Sequence, residues 1–275
     1  MKPLFEATDP LTDKSLFVDC RHSLQDTEYG EKQFLLSHIP GSFFAHLDQN
    51  LSDPKKIKKK NFGRHPLPEK NDFLNFLKSN GVNNNSHLIA YDDSGGVYAS
   101  RFWWMLQMIG HNNGSILNGG IDAWKRSGKL LDKKIGSVRK GNISFKRTRV
   151  FEWKLPEVKA WVSAKHKDEI AIVIDARATE RFIGLSEPID KKAGHIPGAI
   201  NRPFTKNLGS DGKFKPALDL EKEYKKLIGD SNPANIVHMC GSGVTACHNL
   251  FSMELCELTG SNLYVGSWSE WCQHN

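Results

Sequence analysis

The sequence predicts an α/β protein of two domains, each a mainly parallel sheet flanked by helices. Two observations carry this. The chain repeats itself, and each repeat alternates short apolar runs with segments of helical length. Val18-Asp19-Cys20-Arg21 resembles Ile174-Asp175-Ala176-Arg177, and His38-Ile39-Pro40-Gly41 recurs 157 residues later as His195-Ile196-Pro197-Gly198. Ile89-Ala90-Tyr91-Asp92-Asp93 lies beside Ile236-Val237-His238-Met239-Cys240 at an offset of 147. Gly96-Val97, Ala99, Gly119 and Trp124 match Gly243-Val244, Ala246, Gly266 and Trp271 at that same offset. Several matches in one order across both halves argue for duplication, with about ten extra residues in the first half around the lysine-rich stretch at 55–60. The boundary falls in the polar segment near 135–155, giving domains over 1–140 and 155–275.

Taken in order, Leu16-Phe17-Val18 and Ile170-Ala171-Ile172-Val173-Ile174 are apolar runs that end at Asp, as buried parallel strands do. Leu88-Ile89-Ala90-Tyr91 and Asn235-Ile236-Val237-His238 read as strands that enter Gly-bearing turns. Tyr98–Ile109 and Val244–Leu258 have helical length and apolar spacing. Ser115-Ile116-Leu117 and Asn262-Leu263-Tyr264-Val265 close each half as late strands. Ligands of such sheets sit beyond the C-terminal ends of strands, which points at the turns after Tyr91 and after Met239.

Composition narrows the class. At 39% hydrophobic and 25% charged, the chain is that of a globular domain pair. No run approaches the roughly 18 apolar residues of a membrane span. Residues 1–10 lack both an apolar signal core and an Arg-rich transit pattern, so a cytoplasmic location is expected. The net charge of +7 is modest, and its densest patch, Lys55-Lys56-Ile57-Lys58-Lys59-Lys60, has no interleaved aromatics. A solvated loop fits it better than a nucleic-acid surface, although the excess can draw anionic substrates. The five cysteines, at 20, 240, 247, 256 and 272, show neither CxxC nor Cys/His metal spacing. Free thiols are expected, with Cys247 and Cys256 as packing on a helix.

Cys240 is different. Cys240-Gly241-Ser242-Gly243-Val244-Thr245-Ala246 links a strand to the start of a helix. Its glycines allow a tight turn in which N–H groups converge on one point, and the positive end of the helix favours a thiolate there.

This loop resembles the active-site loop of the mercaptopyruvate branch of the rhodanese-family sulfurtransferases. The duplicated HIPG and the tail Gly266-Ser267-Trp268-Ser269-Glu270-Trp271 are similar to tandem members of that family. The resemblance spans roughly residues 10–275 and implies two rhodanese-like domains of which only the second is catalytic. Asp93, aligned with Cys240, cannot form a persulfide.

The thiosulfate branch usually has basic residues after its cysteine, where this chain has Gly241 and Ser242. The resemblance therefore implies Cys240 as nucleophile, with loop residues Gly241, Gly243, Val244 and Thr245 around the donor. Arg181, within Arg181-Phe182-Ile183-Gly184, would hold the donor carboxylate, since its fork matches two oxygens. The family's second arginine is missing, because the run here is Glu187-Pro188-Ile189; Lys191 and Lys192 are the nearest basic residues. A proton relay of Ser242, His65 and Asp53, spanning both domains, is implied by Leu51-Ser52-Asp53 and His65-Pro66-Leu67-Pro68.

The implied reaction moves sulfur from 3-mercaptopyruvate through a Cys240 persulfide to thioredoxin, a small thiol or cyanide, and releases pyruvate. It calls for no metal, cofactor, nucleic acid or membrane. The alternatives are thiosulfate as donor and a non-catalytic rhodanese-like binding or regulatory protein. A cysteine phosphatase is disfavoured, because Ala246 stands where the Cys-x5-Arg pattern has its arginine.

Overall fold

The computed structural model describes residues 2–59, 61–136, 139–148, 150, 152–164 and 171–274. Lys60 of the lysine run, Ile170 of the expected strand and part of the polar boundary stretch lie outside the described residues. The chain forms two compact units. The first comprises Met1–Pro54, Leu67–Arg149 and Ser210–Lys213; the second comprises Lys55–Pro66, Val150–Gly209 and Phe214–Asn275. Segment 55–66, which carries His65, thus belongs to the second unit although it precedes most of the first in sequence.

The first unit contains β1 (Leu4–Phe5), β2 (Ser15–Asp19), α1 (Tyr29–Leu36) and β3 (Phe43–Phe44). α2 (Pro54–Lys59) follows, its first residue in this unit and the rest in the second. α3 (Lys70–Ser79), β4 (His87–Tyr91), α4 (Val97–Met108), β5 (Gly114–Leu117) and α5 (Gly120–Arg126) complete it. The second unit runs β6 (Glu152–Trp153), α6 (Leu155–Ser163), β7 (Ile172–Asp175), α7 (Thr179–Phe182), β8 (Ile200–Asn201), α8 (Ala217–Ile228), β9 (Ile236–Met239), α9 (Thr245–Leu255), β10 (Asn262–Tyr264) and α10 (Ser267–His274).

Both sheets are parallel throughout and share one strand order, β1-β5-β4-β2-β3 and β6-β10-β9-β7-β8. β2, β4 and β5 and their counterparts β7, β9 and β10 are the strands the apolar runs predict. The two-residue strands β1, β3, β6 and β8 are too short to show a period.

Alternation sets the core. Val173 and Val237 pack with Trp268 and Trp271 in one cluster, while their neighbours Ile174 and Ile236 join Leu220, Tyr224 and Met253 in another. Successive side chains of a strand point to opposite faces, so one sheet feeds two helical layers. Each HIPG is a tight turn, with the N–H of Ser42 donating to Ile39 O and that of Ala199 to Ile196 O. Gly41 and Gly198 take φ values of 76° and 85°, a region open to glycine at little cost. The two histidines stack on phenylalanines, His38 on Phe34 and His195 on Phe182, at 4.1 and 4.0 Å.

Sheet register corrects one equivalence. Asp19 pairs with Tyr91 and Asp175 with Met239, so the residues that leave the two strands are Asp92 and Cys240. Gly95 and Gly243, with φ of 70° and 75°, correspond in the same way. Asp92, not Asp93, holds the place of Cys240. Aligning Gly96-Val97 with Gly243-Val244 is one residue out because both loops are glycine-rich. α4 has 12 residues and α9 has 11, which restores the offset of 147 at the next strand. The Asp92 carboxylate is buried and accepts four backbone N–H groups, from Ser94 and Gly96 on Oδ1 and from Tyr98 and Ala99 on Oδ2, at 2.8–3.0 Å. The first unit's loop therefore closes around a carboxylate of its own.

Candidate active site

Cys240 stands immediately after β9, buried, with 2% of its surface exposed. Its backbone is held from α10: Cys240 N–H donates to Ser267 Oγ at 3.1 Å, and the N–H groups of Trp268 and Ser269 donate to the carbonyls of Cys240 and Gly241. Ser267 itself adopts a φ of 54°, an uncommon conformation for a residue with a side chain. The Gly-Ser-Trp-Ser-Glu-Trp tail thus fixes the loop from behind.

The loop turns back on the sulfur. Gly243 N–H donates to Cys240 Sγ at 3.1 Å. Gly243 has a φ of 75°, and a Cβ there would lie 2.5 Å from Val265 O, so both conformation and space require glycine. Val244 precedes α9 and Thr245 opens it, which aligns the helix's N-terminal end with the loop. Cys247 is buried on α9 and Cys256 is buried at the residue that ends it, one past the helix; both thiols donate to backbone carbonyls, and burial pushes the Cys256 thiol up to about 11.

Two residues past the sulfur, Ser242 Oγ is 2.7 Å from His65 Nδ1, and both residues are buried. This contact lies inside the second unit, because segment 55–66 belongs to it. Asp53 belongs to the first unit and is half-buried just ahead of α2.

Arg181, on α7, is clamped by two carboxylates. Its Nε donates to Glu187 at 3.1 Å, and its Nη2 donates to Glu187 at 2.7 Å and to Asp190 at 3.2 Å. Burial would raise the Glu187 carboxyl, but hydrogen bonds from Arg181 and from the Asp190 and Ile189 N–H groups outweigh it and hold it below the usual range. Ile189, where the resemblance expects an arginine, is exposed and gives this cluster only its N–H. Lys191 and Lys192 are exposed.

A residue that the sequence reading passed over completes the cluster. Arg64 donates from Nη1 to Asp190, and its N–H bonds Ser269 Oγ at 3.0 Å. A Cβ built on Gly241 would lie 2.7 Å from Arg64 Nη2 and about as far as 3.5 and 3.6 Å from the two Arg181 Nη atoms. Two guanidinium groups therefore flank the residue next to Cys240. Adjacency to His65 was the sole signal for Arg64 in the sequence. Glu187, Ser267 and Ser269 likewise carried none beyond their place in quoted segments, and Asp190 lay in none of them.

A family model for the rhodanese-like domain matches the chain twice, over residues 6–127 and 157–274. The chain belongs to the rhodanese family. The fold and the duplication agree with the resemblance of its loop and tail. A probable 3-mercaptopyruvate sulfurtransferase of Pseudomonas aeruginosa is 41% identical over 257 residues, 93% of this chain and 88% of that protein. A putative thiosulfate sulfurtransferase of Mycobacterium tuberculosis is 31% identical over 98% of this chain and 90% of its own length. The crystal structure of a 3-mercaptopyruvate sulfurtransferase from Escherichia coli superposes with a TM-score of 0.79 at 29% identity, covering 98% of this chain and 99% of that one. This rhodanese-family member is an enzyme of the sulfurtransferase class. Among the described residues no helix is long and apolar enough to cross a membrane.

Proposed function

We propose that this enzyme takes sulfur from 3-mercaptopyruvate, carries it as a persulfide on Cys240 and passes it to a thiol, with pyruvate as the co-product. One observation carries the choice of donor: the 2.7 Å contact between Ser242 Oγ and His65 Nδ1 beside the nucleophile. Breaking a carbon–sulfur bond leaves an enolate that must be protonated, whereas thiosulfate releases sulfite and needs no such proton.

In the proposed sequence the Cys240 thiolate attacks the donor sulfur. The new S–S bond forms as the C–S bond breaks, and its electron pair moves onto the pyruvate enolate. The proton lost by Cys240 equals the one gained by pyruvate, so a relay through Ser242 and His65 is proton-neutral over the half-reaction. Gly243 N–H, with the loop through Val244 and Thr245, stabilises the sulfur anion, and Arg181 holds the donor carboxylate. A thioredoxin-like protein, a small thiol or cyanide then removes the outer sulfur, which predicts ping-pong kinetics. The first unit is assigned no chemistry, since its equivalent loop holds the Asp92 carboxylate.

Side-by-side steady-state rates with the two donors test this. Mercaptopyruvate should win in kcat/KM by at least about tenfold, roughly 1.4 kcal/mol of transition-state discrimination. A thiosulfate preference overturns the donor assignment.

A further inference from the structure

We infer that Arg64 is the second cation of the donor site and sets its preference for anionic donors. The inference rests on Cys240 being the nucleophile. Arg181 alone has little left to offer a ligand, since its Nε and Nη2 are spent on Glu187 and Asp190. Of its N–H groups only those on Nη1 lack an acceptor among the described residues. Arg64 is the reverse case. Its one side-chain hydrogen bond among the described residues is from Nη1 to Asp190, while its Nε is buried without an acceptor among those residues and its Nη2 faces Gly241. A guanidinium N–H left unpaired is costly, so Arg64 keeps donor capacity that a ligand oxygen can satisfy.

The position of these groups selects the ligand. Unpaired N–H groups of two guanidiniums converge on the flank of Gly241, one residue from the reactive sulfur. A small donor whose carboxylate lies two or three atoms from its sulfur spans that gap, and planar guanidinium forks suit its two oxygens. Asp190 bridges the two arginines, at Nη1 of one and Nη2 of the other, and so holds two like charges side by side before the ligand arrives. Glycine at 241 is then a condition of the site, because a side chain there would meet Arg64 Nη2 at 2.7 Å. A cation that reaches the loop from residue 64 takes the place of one carried on residue 189, where this chain has isoleucine.

The test separates anion binding from turnover. Cys240 is alkylated with iodoacetate and with iodoacetamide, which form the same C–S bond with loss of iodide but differ in charge. The ratio of the two rates, read by mass at Cys240, cancels any change in thiol reactivity. Arg64→Ala should lower the iodoacetate-to-iodoacetamide ratio by roughly tenfold or more, as expected for loss of a charge-assisted contact. Arg64→Lys should retain part of it. Gly241→Ala, which leaves both arginines in the chain, should lower it as well. The KM for mercaptopyruvate should rise in Arg64→Ala with kcat changed less. An unchanged ratio in Arg64→Ala and in Gly241→Ala overturns the inference. If the ratio falls but mercaptopyruvate proves no donor, the donor assignment fails and the role of Arg64 stands.

Discussion

The backbone N–H of Gly243 donates to the Cys240 sulfur over 3.1 Å, an arrangement that only a glycine with a φ of 75° permits. In the proposed scheme the same amide serves the attacking sulfur before the reaction and the sulfur that carries the persulfide after it. Cys240→Ser should abolish turnover with the fold retained. Intact mass after donor treatment should show one added sulfur, about 32 Da, on the wild type alone. Gly243→Ala should disturb the loop itself, because its Cβ would press on Val265 O. Turnover that survives in Cys240→Ser would remove the nucleophile from the proposed scheme.

Ser242 and His65 touch, and that contact makes a sharper claim than either residue alone. If they pass one proton, Ser242→Ala and His65→Ala should each lower kcat on mercaptopyruvate, by roughly 10²-fold or more as is typical of general acid–base groups. The double variant should be little worse than the worse single one. Thiosulfate turnover should suffer less. Effects that add, or that fall equally on both donors, would reduce the pair to a packing role.

Much of this was legible in the sequence. Repeats spaced by 147 and 157 residues gave the duplication, apolar runs ending at Asp gave β2 and β7, and the runs before the Gly-bearing turns gave the central strands β4 and β9. The loop after β9 marked Cys240 as the candidate nucleophile, because a thiol between a buried strand and a helix, with glycines in the loop, has a chemical reason to be there. Arg64 was not legible. Its role depends on segment 55–66 joining the second unit, and no local pattern announces a long-range placement of that kind. Asp92 was missed by one residue for another reason: Ser-Gly-Gly and Ser-Gly-Val align equally well with or without a shift, and sheet register alone decides between them.

His238 supplies a pH test of the second unit's core. It lies on β9, fully buried, with Nε2 3.2 Å from Met253 Sδ and with Nδ1 lacking an acceptor or donor among the described residues. Burial, aided by the nearby Arg202 charge, drives its pKa from 6.5 down to about 3. The unfolded chain then binds the extra proton throughout the window between those values. Stability from this group is complete above about pH 6.5 and falls by about 1.4 kcal/mol per pH unit as the pH drops towards 3. Denaturant unfolding between pH 6.5 and 4 should show that slope, and His238→Gln should flatten it whatever it does to stability at pH 7. An unchanged slope in the variant would mean that the imidazole is protonated in the fold.

The two aspartates after β4 give opposite expectations. Asp92 is buried, and burial raises its carboxyl against the backbone N–H bonds from Ala99, Ser94 and Gly96 that favour its charge. Those bonds tie the loop to the first turns of α4, so Asp92→Ala would strand buried N–H groups around a void. It should cost on the order of 3 kcal/mol in unfolding free energy. Asp93 is exposed, and its contacts with Tyr29 at 2.6 Å and Ser94 at 3.3 Å lie at the surface. Asp93→Ala should cost less than about 1 kcal/mol. In the folded fraction both variants should keep the wild-type kcat, since sulfur is assigned to Cys240 alone. Equal costs, or a larger cost at Asp93, would remove the loop-closing role assigned to the Asp92 carboxylate; a loss of kcat in folded Asp92→Ala would give the first unit a part in the chemistry.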